Sequence, residues 1–172
     1  MRLLSLKLKK AINNVELEKQ VHSDLKRHEG CVLKAYQDTE GVWTIGYGHT
    51  RNVDKDTPPI TQIEAEAFLL SDMFDAHMTI KRIIKNWNTL DKVRQSVLIN
   101  MCFNLGETRL KKFKATLEHI EKGQYQDAAE HMLASKWAKQ VKGRATELAE
   151  RMRTGRIAPE HRMPPIVTGK LL

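Results

Sequence analysis

LKAYQDTEGVWTIGYGHT, residues 33–50, is where the texture of this chain changes. The stretch is short, aromatic and β-branched, and Gly41, Gly46 and Gly48 punctuate it. That composition predicts a small antiparallel hairpin with its turn at residues 38–41. Just upstream, Val21 and Leu25 are spaced by four, which predicts a helix over residues 21–28 that gives way at Gly30. Downstream, the β region is expected to end before Thr57-Pro58-Pro59, and helix resumes at Thr61. Thr61 and Glu64 have the T-x-x-E spacing of a capping box, in which hydroxyl and carboxylate satisfy orphan backbone donors. Ile63, Ala67, Leu70 and Phe74 mark an apolar stripe, followed by Ile80 and Ile84. A helix of about 24 residues, roughly 36 Å, can bridge two lobes.

The rest reads as helical. Val93, Val97, Leu98, Met101, Cys102 and Leu105 form one stripe that Gly106 ends, and Phe113, Leu117 and Ile120 form another that stops at Gly123. Tyr125, Ala128, Ala129 and Met132 follow, then a short piece around Trp137 and a last helix over residues 145–152. Closely spaced helices of this kind suggest a compact bundle. From Ala158 onward, Pro159, Pro164 and Pro165 predict an extended tail. The expected organisation is therefore an added N-terminal helical segment over residues 1–19, a main domain over 20–157 and a tail over 158–172. Within the main domain, an N-lobe spans 20–60, a connecting helix 61–85 and a helical C-lobe 89–157. The class is α+β.

With 172 residues, 41% hydrophobic and 29% charged, the composition is that of a soluble globular protein large enough to bury a core without staples. Cys31 and Cys102 have no metal-ligand spacing and are expected to be reduced and partly buried. The net charge of +8 is uneven: +3 over residues 1–30, −1 over 31–104 and +6 over 105–172. A basic C-terminal part suits an anionic polymer, whether nucleic acid, acidic membrane surface or bacterial wall. At the N-terminus, Lys7, Lys9 and Lys10 interrupt the rhythm of Leu3, Leu4, Leu6 and Leu8. No signal peptide, membrane span or stable membrane insertion is expected from it. A helix packed on the body is the favoured reading, with a surface-seeking amphipathic helix as the alternative.

Two carboxyls stand out for their setting. Glu29 closes a predicted helix and Asp38 sits at the hairpin turn, so the chain can fold back between them and leave a groove. Glycoside hydrolysis needs such a pair: one carboxylic acid to protonate the leaving oxygen, one carboxylate to serve a nucleophile on the opposite face. Among 21 acidic residues, the spacing Glu29-x8-Asp38-x5-Thr44 alone is not specific.

The flanking residues make it so. HEG at residues 28–30, AYQDTEG at 35–41 and WTIGYGHT at 43–50 together resemble the T-even phage lysozymes, glycoside hydrolase family 24. DKVRQSVLINMCFNLGET, residues 91–108, resembles the first C-lobe helix of that family, and SKWAKQVKGRA, residues 135–145, with RTGR, residues 153–156, resembles its C-terminal helices. The resemblance covers roughly residues 20–157 in one order. It implies a predominantly helical lysozyme-like fold with a small β-hairpin lobe, a long connecting helix and a cleft between lobes. It also implies a catalytic set in which Glu29 is the general acid, Asp38 directs a water and Thr44 helps hold that water. The reaction implied is hydrolysis of the β-1,4 bond between N-acetylmuramic acid and N-acetylglucosamine in bacterial peptidoglycan, with inversion and without metal or other cofactor. Less specifically, Arg144 matches an arginine beside the catalytic glutamate, Phe103 a sugar-contacting aromatic and Thr116 a hydroxyl residue across the cleft. Thr50, His131 and Asn104 stand at substrate-contact positions but depart from the usual residue types, which bears on fine substrate preference. A monomer is expected. It would reside in the host cytoplasm until a holin releases it to the periplasmic wall.

Other features have plainer readings. Gly46 and Gly48 answer to close backbone packing rather than phosphate binding, because no helix follows them. His49 is expected to pair with Asp72, Trp137 to lie in the core, and His119 and His161 at the surface. A zinc amidase or peptidase would need a ligand set such as His-Glu-x-x-His, and His28-Glu29 is followed by Gly30, Cys31 and Val32. The non-enzymatic rival is a basic wall- or nucleic-acid-binding module. Its nucleic-acid form rests on charge alone and has no recognised motif, and the three residues Glu29, Asp38 and Thr44 argue against a dead site.

Overall fold

In a computed structural model of the chain, residues 2–164 are described, with side chains from Asn14 onward. The side chains of Leu3, Leu4, Leu6 and Leu8, and all of residues 165–172, lie outside the described set. Helix α1 runs unbroken from Arg2–Glu29, so the expected N-terminal segment and the helix at residues 21–28 are one element. The hairpin follows as β1 (Val32–Gln37) and β2 (Trp43–Gly46), antiparallel, with Tyr36 opposite Thr44 and Gln37 opposite Trp43. Then come α2 (Gln62–Ile83), α3 (Lys92–Leu110), α4 (Lys114–Glu121), α5 (Tyr125–Leu133), α6 (Lys136–Val141) and α7 (Gly143–Thr154). This is the expected α+β arrangement: a small sheet, a long helix and a cluster of helices.

The turn and cap signals hold at residue level. Asp38 begins the hairpin turn, where Gly41 N donates to Asp38 O at 3.0 Å. Thr61 caps α2 with both arms of the capping box, Glu64 N to Thr61 Oγ1 and Thr61 N to Glu64 Oε2. Gly106, read as a helix end, is a kink inside α3, with φ +70 and ψ 165.

The apolar stripe of α2 faces outward. Ile63 is 83% exposed, Leu70 50% and Phe74 61%, while the buried face is Ala65, Leu69, Met73, Ala76 and Ile80. The reason lies where β2 meets the helix. Gly46 has φ +64, and a Cβ built there would stand 3.4 Å from the Ala65 Cβ. Only the small residues on that side admit so close an approach. Cys31 also departs from expectation: it is exposed, whereas Cys102 is buried, and both are free thiols.

One continuous core joins Leu17, Val21 and Leu25 of α1 to Val97, Leu98 and Met101 of α3 and to Leu148 and Met152 of α7. Beside it runs a buried ionic seam. Arg151 donates to both Asp24 oxygens, at 2.6 and 3.1 Å, and reaches Glu147 at 2.6 Å, while Arg27 bridges Asp24 and Glu147. Forked guanidinium–carboxylate pairs offset most of one another's desolvation, with Arg151 Nε left buried without a partner, and fix the rotation of α1 against α7. The tail is also held. Gln20 donates to His161 O at 2.8 Å and accepts from Met163 N at 2.9 Å, beside a short 3-10 turn at Pro159–His161. Among the described residues, no helix is long and apolar enough to cross a membrane.

Candidate active site

Glu29 is the last residue of α1, and Arg144 stands in the first turn of α7. The Arg144 guanidinium donates from Nη1 to Glu29 Oε1 at 2.6 Å and from Nε to Asn100 Oδ1 at 2.9 Å. The two side chains are 17% and 7% exposed, so the pair is largely shielded from water. The other glutamate oxygen looks the opposite way. A Cβ built on Gly48 would lie 3.8 Å from Glu29 Oε2. Gly48 itself sits at φ +93 in a tight turn that Ile45 and His49 close with two 2.9 Å backbone hydrogen bonds. One carboxyl oxygen is thus tied to the protein, and the other opens toward the turn after β2.

The hairpin presents the second carboxyl. Asp38 Oδ1 accepts from the backbone of Glu40 at 2.9 Å and of Val42 at 2.8 Å, an Asx-type clamp that fixes the side chain. Among the described residues, Oδ2 has no hydrogen bond. Tyr36 is opposite Thr44 in the register, so their side chains share a face, and Asp38 is two residues beyond Tyr36 on that same face. Thr44 is 4% exposed and its hydroxyl donates to Val42 O at 3.0 Å. Tyr36 links the two carboxyls. Burial, and after it the charges of Glu29 and Asp38, push its phenol above the ordinary value.

The remaining predicted positions divide between two cavities. Thr50 and Phe103 line one of about 280 Å³ together with Gly48 and Asp72. Thr116 and His131 line another of about 490 Å³ together with Phe113 and Trp137. Thr116 is only 2% exposed, and His131 is stacked on His119 at 5.1 Å. The Asn104 side chain is engaged, accepting from Trp137 Nε1 at 2.8 Å. Trp137 is 4% exposed and meets Phe113 edge-on at 6.1 Å, so it belongs to the core as expected while closing that cavity. His49 pairs with Asp72 at 2.7 Å and stacks on Phe68, and Arg51 shares the same carboxylate. That arrangement braces the hairpin against α2. Among the described residues, no group of three or more His, Cys, Asp or Glu is placed to hold a metal ion.

Four residues at the site escaped the sequence reading. Tyr36 was recoverable, because strand alternation places it on the face of Asp38. Asn100 is a lone amide in the apolar run VLINMCF and is 1% exposed, a setting that itself demands a partner. Glu40 in the hairpin turn pairs with Arg109 near the end of α3, a contact no local pattern announces. His28 is the fourth.

Comparison with known proteins shows the family. Residues 26–154 match the family model described as phage lysozyme. The chain is 32% identical over 159 residues to a protein named probable T4-type lysozyme 1 of Dictyostelium discoideum, covering 76% of this chain and 92% of that one. It is 36% identical over 125 residues to an endolysin of Acyrthosiphon pisum secondary endosymbiont phage 1, covering 72% and 82%. It is also 30% identical over 157 residues to the pre-baseplate central spike protein of Enterobacteria phage T4, covering 77% of this chain and 27% of that protein.

Proposed function

Since the chain belongs to the phage lysozyme family, we propose that it hydrolyses the β-1,4 bond between N-acetylmuramic acid and N-acetylglucosamine in bacterial peptidoglycan. The observation that carries this reading is the Glu29–Arg144 contact, which engages one carboxyl oxygen and leaves the other turned toward Gly48. Glu29 is anchored through Oε1 on Arg144, so as an acid it holds its proton on Oε2, the oxygen turned toward Gly48. That oxygen donates the proton to the glycosidic oxygen as the bond breaks. Asp38 is clamped through Oδ1, which leaves Oδ2 to take a proton from an attacking water. Thr44, on the same face, gives that water a second anchor. Displacement from the opposite side of the ring inverts the anomeric carbon.

Substrate contacts are proposed for Thr50 and Phe103 in one cavity and Thr116 and His131 in the other, with Asn104 acting through Trp137. The +6 charge of residues 105–172 concentrates the enzyme on the anionic wall. The protein acts as a monomer and reaches the periplasmic wall from the host cytoplasm through a partner holin. Product analysis on purified peptidoglycan tests the reading. New reducing ends, unaffected by chelators, are expected. Free amino groups without reducing ends would assign an amidase or peptidase instead.

A further inference from the structure

Behind the Arg144–Glu29 pair lies a chain of hydrogen bonds with only one consistent direction. Arg144 has donors and no acceptor, so the Asn100 atom 2.9 Å from its Nε is the amide oxygen. The Asn100 amide nitrogen therefore faces His28 Nδ1, at 3.3 Å, and must donate to it. His28 Nδ1 is then an acceptor without a proton, and the imidazole proton resides on Nε2. There it meets Glu147 Oε2 at 3.2 Å. Glu147 is ionised: burial pushes its carboxyl up, but hydrogen bonds from His28 and Arg27 and the charge of Arg151 outweigh this and hold it well below the usual range. A carboxylate can only accept, which closes the argument. His28 is 5% exposed, so its two ring nitrogens are shielded from bulk water.

We infer that His28 is a positioning residue, which holds Arg144 on Glu29 by orienting the Asn100 amide in its Nε2–H tautomer. This inference rests on the reading of Glu29 as the acid. The charged and polar groups around the imidazole and its partners come from three helices and the tail. Glu147, Arg144 and Arg151 come from α7, Asn100 from α3, and Asp24, Arg27 and Glu29 from α1, while His161 of the tail lies 3.5 Å from Glu147. If the tautomer were reversed, two donors would face each other between His28 and Asn100. An amide flip would relieve that contact but turn its nitrogen toward the guanidinium. Either way the Asn100 amide is displaced, Arg144 keeps on Asn100 only its longer contact to the backbone oxygen at 3.4 Å, and the orientation of the Glu29 carboxyl is less firmly fixed.

Three measurements test this together: kcat and KM on soluble peptidoglycan strands, thermal stability, and long-range ¹⁵N NMR of the His28 ring. His28→Leu is expected to lower kcat by about 10- to 100-fold, the scale of a small misplacement of a reacting group, with KM within about twofold. His28→Gln carries a donor and an acceptor at a similar spacing and is expected to restore kcat to within about threefold of wild type. In the wild type, the NMR signature of an Nε2–H tautomer is expected. An Nδ1–H tautomer, or an unchanged kcat in a folded His28→Leu protein, would overturn the proposal. So would equal loss in the Leu and Gln variants at unchanged melting temperature. The tautomer requires no folded variant and no activity, so it decides the hydrogen-bond chain by itself. A wild-type protein that yields no reducing ends would instead defeat the glycosidase reading.

Discussion

Arg144 Nη1 stands 2.6 Å from Glu29 Oε1, across 115 positions of sequence, and ties the end of α1 to the start of α7. On the proposed reading, the pair sets which oxygen of Glu29 carries the proton. A cation against this glutamate looks at first like a plain structural ion pair. The geometry gives it a second meaning. The guanidinium occupies only one oxygen and leaves the other turned toward Gly48. Orientation of the acid is thus built into the same contact that holds the fold together.

Stability is expected to fall with acidification in two stages. Burial chiefly draws His22 and His77 below their ordinary value of 6.5. Their folded forms thus bind protons less readily than the unfolded chain, and stability is lost as pH drops through that value. Glu147 is held well below its ordinary 4.5, so its contribution is complete above that pH and lost below it. Melting temperature should therefore decline from about pH 6.5 and more steeply below about pH 4.5. Glu147→Gln should be less stable at pH 7 and lose the steeper limb, as thermal melts across pH would record.

Thr61→Ala should cost about 1 kcal/mol, the usual worth of an N-cap, because it removes the hydroxyl that accepts from Glu64 N and leaves only the backbone arm of the capping box. Urea titration measures it, and an unchanged midpoint would mean that contacts with the hairpin alone define the start of α2.

Parts of this architecture were legible because they rest on local chemistry. The turn at Asp38 and the cap at Thr61 are short-range devices of a few residues each, and His49–Asp72 followed from family position. The buried face of α2 was not legible. Ile63, Leu70 and Phe74 have helical spacing and large side chains, yet the close approach of Gly46 selects the face that carries Ala65. Bulk alone does not reveal which of two apolar stripes a neighbouring backbone requires to be small. At the site, Glu29, Asp38 and Thr44 were visible through their motif. The roles of His28 and Asn100 arise from contacts 44 to 119 positions apart, for which a single sequence offers no period.

Lysis is expected to weaken at high ionic strength, and more so on whole wall than on a short soluble oligosaccharide. Attraction of the basic C-terminal part to the wall is long-range and screened over about 10 Å at 0.1 M salt, whereas contacts inside the cleft are short-range. Rates on the two substrates across a salt series make the comparison. Equal dependence would remove the recruiting role of the charge.

Stereochemistry follows from the role of Asp38. A carboxylate that directs water stands about 6.5–9.5 Å from the acid, and a direct nucleophile about 5–5.5 Å. With Thr44 on the same face to anchor a water, the first product should be the α anomer. NMR of freshly cleaved oligosaccharide, before mutarotation, reads this directly, and a β product would assign Asp38 as a nucleophile.

The central claim is that Glu29 supplies the proton for cleavage. Glu29→Gln keeps the shape of the side chain and presents its amide oxygen to Arg144, but removes the acid. Reducing-end release by the purified variant, with melting temperature recorded alongside, is the most direct measurement. The account predicts turnover lowered by at least about 10²- to 10⁴-fold, the range of general acid catalysis, in a protein that melts close to wild type. Wild-type release of reducing ends by the folded variant would contradict it.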